Sequence, residues 1–579
     1  MSQKVSEMSS SDLSQPSSVT LNYDSIWVTQ PQPLIVLAGM DDLHQVIVDN
    51  IPKQNKLRIQ SIPLGHAFPV KNPTRSFEGY EPAGILKINW MKKRLQVVPS
   101  LVVILMEWLD GQDDSNEANL NNCVSLFKGN NSTRLMPVLV VAVRHRTPAE
   151  EDPQLEDRVV RIGKKQGLEN KVFVLSTGDL KTSLRRLESV CFDLVCAFCR
   201  KEAQRISRYR SKVDKKTQVK LSVRHNFKIA FYYEMVGDAQ EALKHYLRCS
   251  TFLKQLHCSG ETLLEVKWIA YILMVKICGF TIRLQTLHAA LAYFQAHLSD
   301  YQSQTPFAEL EFLDHHWTCS QYYAFGRILQ TIPTLRNLQY NPGYFYQTAA
   351  SFASKRKQAY LTARNVFVKR KGISLAPNRQ LLNPKFVAQP TLLKELESKY
   401  GVGTQGWSAA VTESLVYLET RTNHHEKVLE YLHASYDCFK KERAQKMFLH
   451  IAFQMGVEHF SEGKFSQAKR FFDRISNQYR KEGWFQLLTC CLMYAYKCAR
   501  RLAFSREVLL YSFELMCVYA KTNSTQKRNV LQDVFSILSD PSTAKADPAK
   551  SAGGDSGETI NATAAPVTIL ITQMIQTHS

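Results

Sequence analysis

Signatures of catalysis are what this sequence lacks most. It has no Gly-x4-Gly-Lys-Ser/Thr loop and no Gly-x-Gly-x2-Gly behind a strand-like run, the two backbone cradles that hold nucleotide phosphates at a helix start. Glycine and proline are sparse, 24 and 21 in 579 residues, which excludes a collagen-like fibre and wholesale disorder. No apolar run approaches the roughly 20 residues of a membrane span; the longest lies inside Ile269–Val275, between Lys267 and Lys276. The N-terminus is polar and Ser-rich from Met1 to Ser18, without the apolar segment of a secretory leader. The 13 cysteines form no regular framework, and Cys196, Cys278 and Cys498 fall within apolar helical patterns, where a free thiol behaves as a small hydrophobe. A reducing, cytoplasmic setting with peripheral membrane contact at most is expected. Acid is also short: 73 Lys and Arg against 52 Asp and Glu give a formal net charge of +21. That excess favours an anionic partner, whether acidic protein, membrane surface or nucleic acid, and names none of them.

What is present is an ordinary globular composition, 44% hydrophobic and 22% charged, over a length that calls for more than one domain. Residues 1–20 read as a disordered tail. Leu34–Leu37, Leu101–Met106, Val138–Val143 and Val172–Leu175 are short runs rich in Val, Ile and Leu, suited to strands buried on both faces of a parallel sheet. Helix-like stretches at Asn119–Phe127 and Leu155–Gln166 separate the last three, so residues 21–210 are expected to form an α/β sandwich domain. Asp179 and its neighbours Ser176 and Thr177 are good cap residues for a long amphipathic helix from Leu180 to about Arg210. The domain junction is placed in the basic stretch Arg200–Lys220.

Residues 211–539 carry helical patterns almost throughout. A tetratricopeptide-like spacing occurs twice: Ile229-Ala230-x2-Tyr233, Gly237-Asp238, Ala242-x3-Tyr246, and again Met455-Gly456-x2-His459, Gly463, Ala468-x3-Phe472. Small residues let antiparallel helices approach, the glycine ends the first helix, and the aromatic fills the groove between hairpins. The closing proline of such repeats is replaced by Lys254 and Arg480. Trp484–Arg500 and Phe504–Ala520 read as a further hairpin. The expected fold class is therefore mostly α: an N-terminal α/β sandwich domain followed by a tetratricopeptide-like α-solenoid. Residues 540–579 read as a low-complexity tail.

Candidate chemistry reduces mostly to packing. Gly39-Met40-Asp41-Asp42 after the first strand sets two acids where a phosphate would bind. Cys196-x2-Cys199 has no second pair at zinc-finger spacing, and His315, His316 and Cys319 supply too few ligands for a structural zinc. His424-His425 beside Asn423 reads as a solvated helix start. Gly554-Asp555-Ser556-Gly557 copies a serine-nucleophile motif inside the low-complexity tail, where nothing fixes a base. Asn130 and Asn131 fit glycosylation sequons, which matter only on a secretory route. No catalytic, cofactor-binding or metal residue is assigned.

One feature stands out. From His315 to Lys394 there is no Asp or Glu and there are twelve Lys and Arg, with two triplets, Lys355-Arg356-Lys357 and Lys369-Arg370-Lys371, and Arg364 between them. The second triplet is read as opening a long irregular stretch. Lys355, Arg356, Lys357, Arg364, Lys369, Arg370 and Lys371 are the candidate basic docking surface. A solvated face, an acidic or anionic-lipid partner, and nucleic acid all remain open for it.

Arg224-His225-Asn226-Phe227-Lys228-Ile229-Ala230-Phe231-Tyr232-Tyr233-Glu234, the following Gly237-Asp238-x2-Glu241-Ala242-Leu243-Lys244-His245-Tyr246, and Tyr344-Phe345-Tyr346-x2-Ala349-Ala350 with Arg356-x2-Ala359 resemble the foie gras family. The resemblance covers roughly residues 30–540. It implies a non-catalytic scaffold subunit of a multisubunit vesicle tether, the transport protein particle (TRAPP) complex, acting in endoplasmic reticulum-to-Golgi transport and autophagy. The partners implied are the other TRAPP subunits and, indirectly, a Rab GTPase, with peripheral contact to anionic membrane. The implied location is cytoplasmic, on Golgi and ER–Golgi intermediate membranes. Long members continue into a β-rich C-terminal region, and a form lacking it is expected here. The alternatives are a basic α-solenoid binding nucleic acid, marked by a steep salt dependence, and an enzyme using the α/β domain.

Overall fold

A computed structural model describes residues 28–51, 57–70, 82, 84–87, 89–109, 111–132, 136–144, 155–165, 171–211, 213–214, 217–256, 260–305, 308–332, 340–371, 415–417, 419–517 and 524–539. The expected tails at 1–20 and 540–579, with the Gly554–Gly557 motif, lie outside the described residues. The described residues fall into two compact units, one within Met1–Trp317 and Thr362–Thr420, the other within Thr318–Leu361 and Arg421–Ser579.

The first unit opens on a five-stranded parallel sheet: β1 (Leu34–Ala38), β2 (Arg58–Ile62), β3 (Leu101–Glu107), β4 (Val138–Arg144) and β5 (Val172–Ser176), in the order β2-β1-β3-β4-β5. The registers Val36↔Val102 and Val102↔Val138 put even-numbered residues of β1, β3 and β4 on one face. There Val36, Ile104 and Val140 pack on Leu120, Val124 and Phe127 of α2 (Asp113–Asn130), and Ala142 packs on Val159 and Ile162 of α3 (Leu155–Lys165). The odd-numbered residues Ile35, Val103, Leu139 and Val141 are equally buried. Helices α1 (Asp41–Asn50) and α4 (Leu180–Ser211) lie against each other and against the strands. Burial on both faces is why these strands read as unbroken apolar runs. β2 was not anticipated. It is one of the two edge strands, its sequence Arg-Ile-Gln-Ser-Ile is largely polar, and only Ile62 is buried.

Open sheets of this strand order place ligands where the order reverses, outside the carboxyl ends of β1 and β3. Here the chain leaves β1 through Gly39 at φ 80°, and a Cβ on that residue would stand 2.5 Å from the Leu105 carbonyl oxygen of β3. Glycine is needed for that close approach. Asp41 and Asp42 then fill the first turn of α1, so the positive end of the helix dipole faces the chain's own carboxylates.

Five helices follow in the same unit: α5 (Val219–Val236), α6 (Ala239–Lys254), α7 (Gly260–Leu284), α8 (Leu287–Tyr301) and the start of α9 (Glu311–Gln330). The α5–α6 pair is the first expected hairpin. Gly237 ends α5 at φ 85°, the Asp238 side chain accepts from the Glu241 amide at 3.1 Å, and Ala230, Ala242 and Tyr246 are fully buried. The Tyr246 hydroxyl donates to Glu234 at 2.7 Å, and Glu234 pairs with Lys276 of α7 at 2.6 Å.

The second unit holds the end of α9, most of α10 (Pro342–Lys371), α11 (His424–Lys441), α12 (Gln445–Ser461), α13 (Phe465–Glu482), α14 (Phe485–Arg501), α15 (Ser505–Met516) and α16 (Ser524–Ser539). Consecutive helices from α11 onward pack as neighbours. In the α12–α13 hairpin, Ala468 and Phe472 are fully buried, and a Cβ on Gly456 would meet the Phe472 ring at 2.8 Å. The fold is an α/β domain with a small parallel sheet followed by tetratricopeptide-like helical hairpins.

Candidate interaction helix and the Lys357 cluster

Ala349, Ala350 and Ala353 of α10 face the core formed with Val428, Leu432 and Ile451. Successive helical residues point about 100° apart, so three consecutive cations just beyond those alanines take three different environments. Lys355 is exposed, its ammonium 4.7 Å from the centre of the Phe352 ring. Arg356 is buried at 6% exposure. Lys357 is half-buried and donates to Glu458 at 3.2 Å and also to Glu462, both on α12. The triplet is therefore not one solvent-facing patch. The acid missing from the local sequence is supplied by a neighbouring helix. Arg364 is exposed. Lys369, Arg370 and Lys371 form the last residues of α10 rather than the start of an irregular stretch; their side chains lie outside the described residues.

His425 corrects a second expectation. Instead of marking a solvated helix start it is 5% exposed, with Nδ1 3.2 Å from Glu458, while the Asn423 side chain caps the helix at the Glu426 amide. His424 stacks on Tyr360 at 5.1 Å; burial first, then the charges of Arg356 and Lys357, hold its pKa down at about 4. His425, Glu458 and Glu462 offer one ligand atom each within 4.8 Å of one another, as a metal site would. The Lys357 ammonium already bridges both carboxylates, so the cation of this cluster belongs to the chain. Burial draws the Lys357 pKa down, but hydrogen bonding to Glu462 and the charges of both glutamates outweigh it and leave it above the ordinary lysine value. The same hydrogen bond holds Glu462 below the usual carboxylate range.

The other singled-out residues are core or structural. Cys196 and Cys199 lie buried on α4, and burial raises both thiol pKa values, the reverse of what a reactive thiolate needs. Cys319 is fully buried, and His315 sits 3.5 Å from Glu311 one turn earlier. Asn131 is buried and holds the loop before β3 through the Phe68 amide and the His66 carbonyl, so it cannot present a glycosylation site. No described helix is long and apolar enough to cross a membrane.

Sequence reasoning missed the buried ion pairs Lys276–Glu234 and Lys267–Asp314. A signal was available: these two lysines bracket the most apolar run of the chain, where a cation needs a buried partner.

An α/β domain leading into antiparallel helical hairpins defines a helical-repeat protein with an N-terminal α/β domain. Residues 262–517 match the family described as Foie gras liver health family 1. The chain is 28% identical over 550 residues to "Trafficking protein particle complex subunit 11" of Homo sapiens, with 88% of this chain and 47% of that protein covered. The Bos taurus protein of the same name gives the same identity and coverage, and the Gallus gallus protein 28% over 540 residues. The foie gras resemblance read from the sequence is thus confirmed, and the chain spans about half the length of these relatives. A solved signal-transduction ATPase with a tetratricopeptide repeat sensor, from Pyrococcus horikoshii, is 10% identical and covers 90% of this chain and 89% of its own, with a TM-score of 0.14, too low to argue from.

Proposed function

We propose that this chain is a non-catalytic scaffold subunit of a TRAPP-type vesicle-tethering complex, acting in endoplasmic reticulum-to-Golgi transport and autophagy at Golgi and ER–Golgi intermediate membranes. The observation that carries the reading is the 28% identity across 88% of the chain to a trafficking protein particle subunit, spanning the α/β domain and the hairpins together. On this reading residues 21–210 are the α/β domain and 211–539 the solenoid, whose stacked hairpins offer long surfaces to other subunits. A Rab GTPase is served indirectly, through those subunits. Within the proposed basic docking surface Lys355 and Arg364 are exposed, Lys357 is half-buried and Arg356 is buried. The reading is tested by tagging the full chain and identifying co-purifying proteins by mass spectrometry. Recovery of TRAPP subunits in stoichiometric amounts is expected; ribonucleoproteins in their place would overturn the reading.

A further inference from the structure

Helix α5 carries cations toward the interior of the first unit. Arg224 and His225 are buried and Lys228 is half-buried. The short helix Trp90–Lys92, continued by a π-helical turn Lys93–Val97, brings Trp90 and Arg94 to the same place, and α4 brings Arg205. Trp90, Arg94, Arg205, His225 and Lys228, with Ile206, Tyr209 and Tyr232, line a cavity of about 200 Å³.

The lining carries the cations Arg94, Arg205 and Lys228 and no carboxylate; Glu202 lies beside it. Glu202 is engaged by Arg205 through two hydrogen bonds of 2.9 and 2.7 Å. Lys228 lies 5.2 Å over the Trp90 ring and Arg94 6.0 Å over Tyr232; aromatic faces attract cations but carry no net charge. Arg224 is directed to the carbonyls of Ile85 and Gly84. The consequence appears on Lys228: burial first, then the cations Arg224, Arg94, Lys87 and Arg205, pull its pKa down to about 7. Burial, Lys228, Arg224 and Arg210 hold His225 at about 4. Charges withdrawn from water among like charges are costly unless a counter-charge joins them, and perturbed groups lining a cavity mark binding sites. The volume is below the roughly 300–1,000 Å³ of pockets for drug-sized ligands, which suits a compact oxyanion and not a nucleotide.

We propose that this cavity binds a phosphoryl anion, free or as the phosphomonoester of a small headgroup, held by Arg94, Arg205 and Lys228 between the rings of Trp90 and Tyr232. The site is separate from the scaffold role, and its failure would leave that reading untouched.

The test uses the full chain and sulfate, which stays doubly charged across the neutral range, against chloride at matched ionic strength. Calorimetry on the parent is expected to show saturable sulfate binding that weakens as pH rises through 7 and Lys228 loses its proton. The other cations facing Lys228 are Arg224, Arg94, Lys87 and Arg205; His225, held at about 4, stays neutral there, and Tyr232, with its pKa raised to about 12, does not titrate. Lys228→Met and Arg94→Gln should each weaken binding more than tenfold, and Lys228→Arg should retain it with the pH dependence gone. In chloride, Lys228→Met should melt no lower than the parent, because a repelled charge has been removed; this separates a lost site from a lost fold. Inorganic phosphate and inositol trisphosphate, compared with phosphoinositide-containing vesicles, then distinguish a free anion from a lipid headgroup, and Lys228-dependent binding of either kind supports the site. A sulfate effect equal in parent and Lys228→Met, an adventitious ion only, overturns it.

Discussion

Arg224 of α5 and Glu265 of α7 grip the two polar edges of one peptide segment: the Arg224 Nε donates to the Ile85 carbonyl at 2.6 Å, and Glu265 Oε1 accepts from the Ile85 amide at 2.6 Å. Both side chains are buried, Glu265 at 1% exposure. The segment is thereby fixed to the helices and leads into the turn carrying Trp90 and Arg94. Arg224→Met should leave the Ile85 and Gly84 carbonyls unpaired and lower stability by about 1–3 kcal/mol. Glu265→Gln should cost less, because the amide oxygen still accepts. Denaturant unfolding of the two single variants and the double should show non-additivity; simple additivity would mean the two residues do not act on one segment.

The α12–α13 hairpin depends on close approach. Gly456→Ala puts a methyl against the Phe472 ring, and Ala468→Trp puts an indole where no space exists, since Ala468 is fully buried. Each is expected to lower stability by about 1–3 kcal/mol, and Ala242→Trp should do the same to α5–α6. Adding Phe472→Leu to Gly456→Ala should recover part of the loss. Unchanged melting of all three single variants would show the hairpin register to be wrong.

Lys355 and Lys357 are two residues apart and should respond unequally to charge reversal. Lys355→Glu, on an exposed side chain, is expected to stay within about 0.5 kcal/mol of the parent. Lys357→Glu sets a third carboxylate between Glu458 and Glu462. It should cost more than the ~1 kcal/mol of an exposed pair, though partial solvent access keeps it below the roughly 3–5 kcal/mol of a buried one. Glu462, held below its unfolded value by Lys357, contributes stability above that unfolded value and loses it as pH falls through the folded one. Chemical denaturation across the acid range should therefore show a shallower decline for Lys357→Met than for the parent. Equal declines would remove the pair from the stability account.

His450 is 4% exposed, and burial holds its pKa at about 4. A histidine kept neutral in the folded state binds fewer protons than the unfolded chain between that value and its ordinary ~6.5, so its contribution is complete above ~6.5 and declines as pH falls toward 4. His424, His225 and His245 share this direction. Melting temperature should drop between pH 6.5 and 4, with a smaller drop in His450→Gln. An identical slope in parent and variant would show that His450 is not the group titrating.

Much of the architecture was set by local chemistry. Val, Ile and Leu runs at Leu101–Met106 and Val138–Val143 were legible as doubly buried strands because nothing polar interrupts them. Both hairpins followed from a small residue, a turn glycine and an aromatic at fixed spacing, a pattern whose meaning lies within one helical pair. Edge strand β2 was not legible, since largely polar residues there need only one neighbour and one covered face. Which cations face solvent was also beyond the sequence. Lys355, Arg356 and Lys357 look alike in a row, and only the packing of α10 against the helices beside it buries one, pairs another with Glu458 about a hundred residues away, and leaves the third to water. The Trp90–Lys228 cavity depends on the same long-range ordering. Its walls come from the Trp90–Val97 turn and, more than a hundred residues later, from the consecutive helices α4 and α5, and charge repulsion across that distance along the chain exists only once the tertiary fold has closed it.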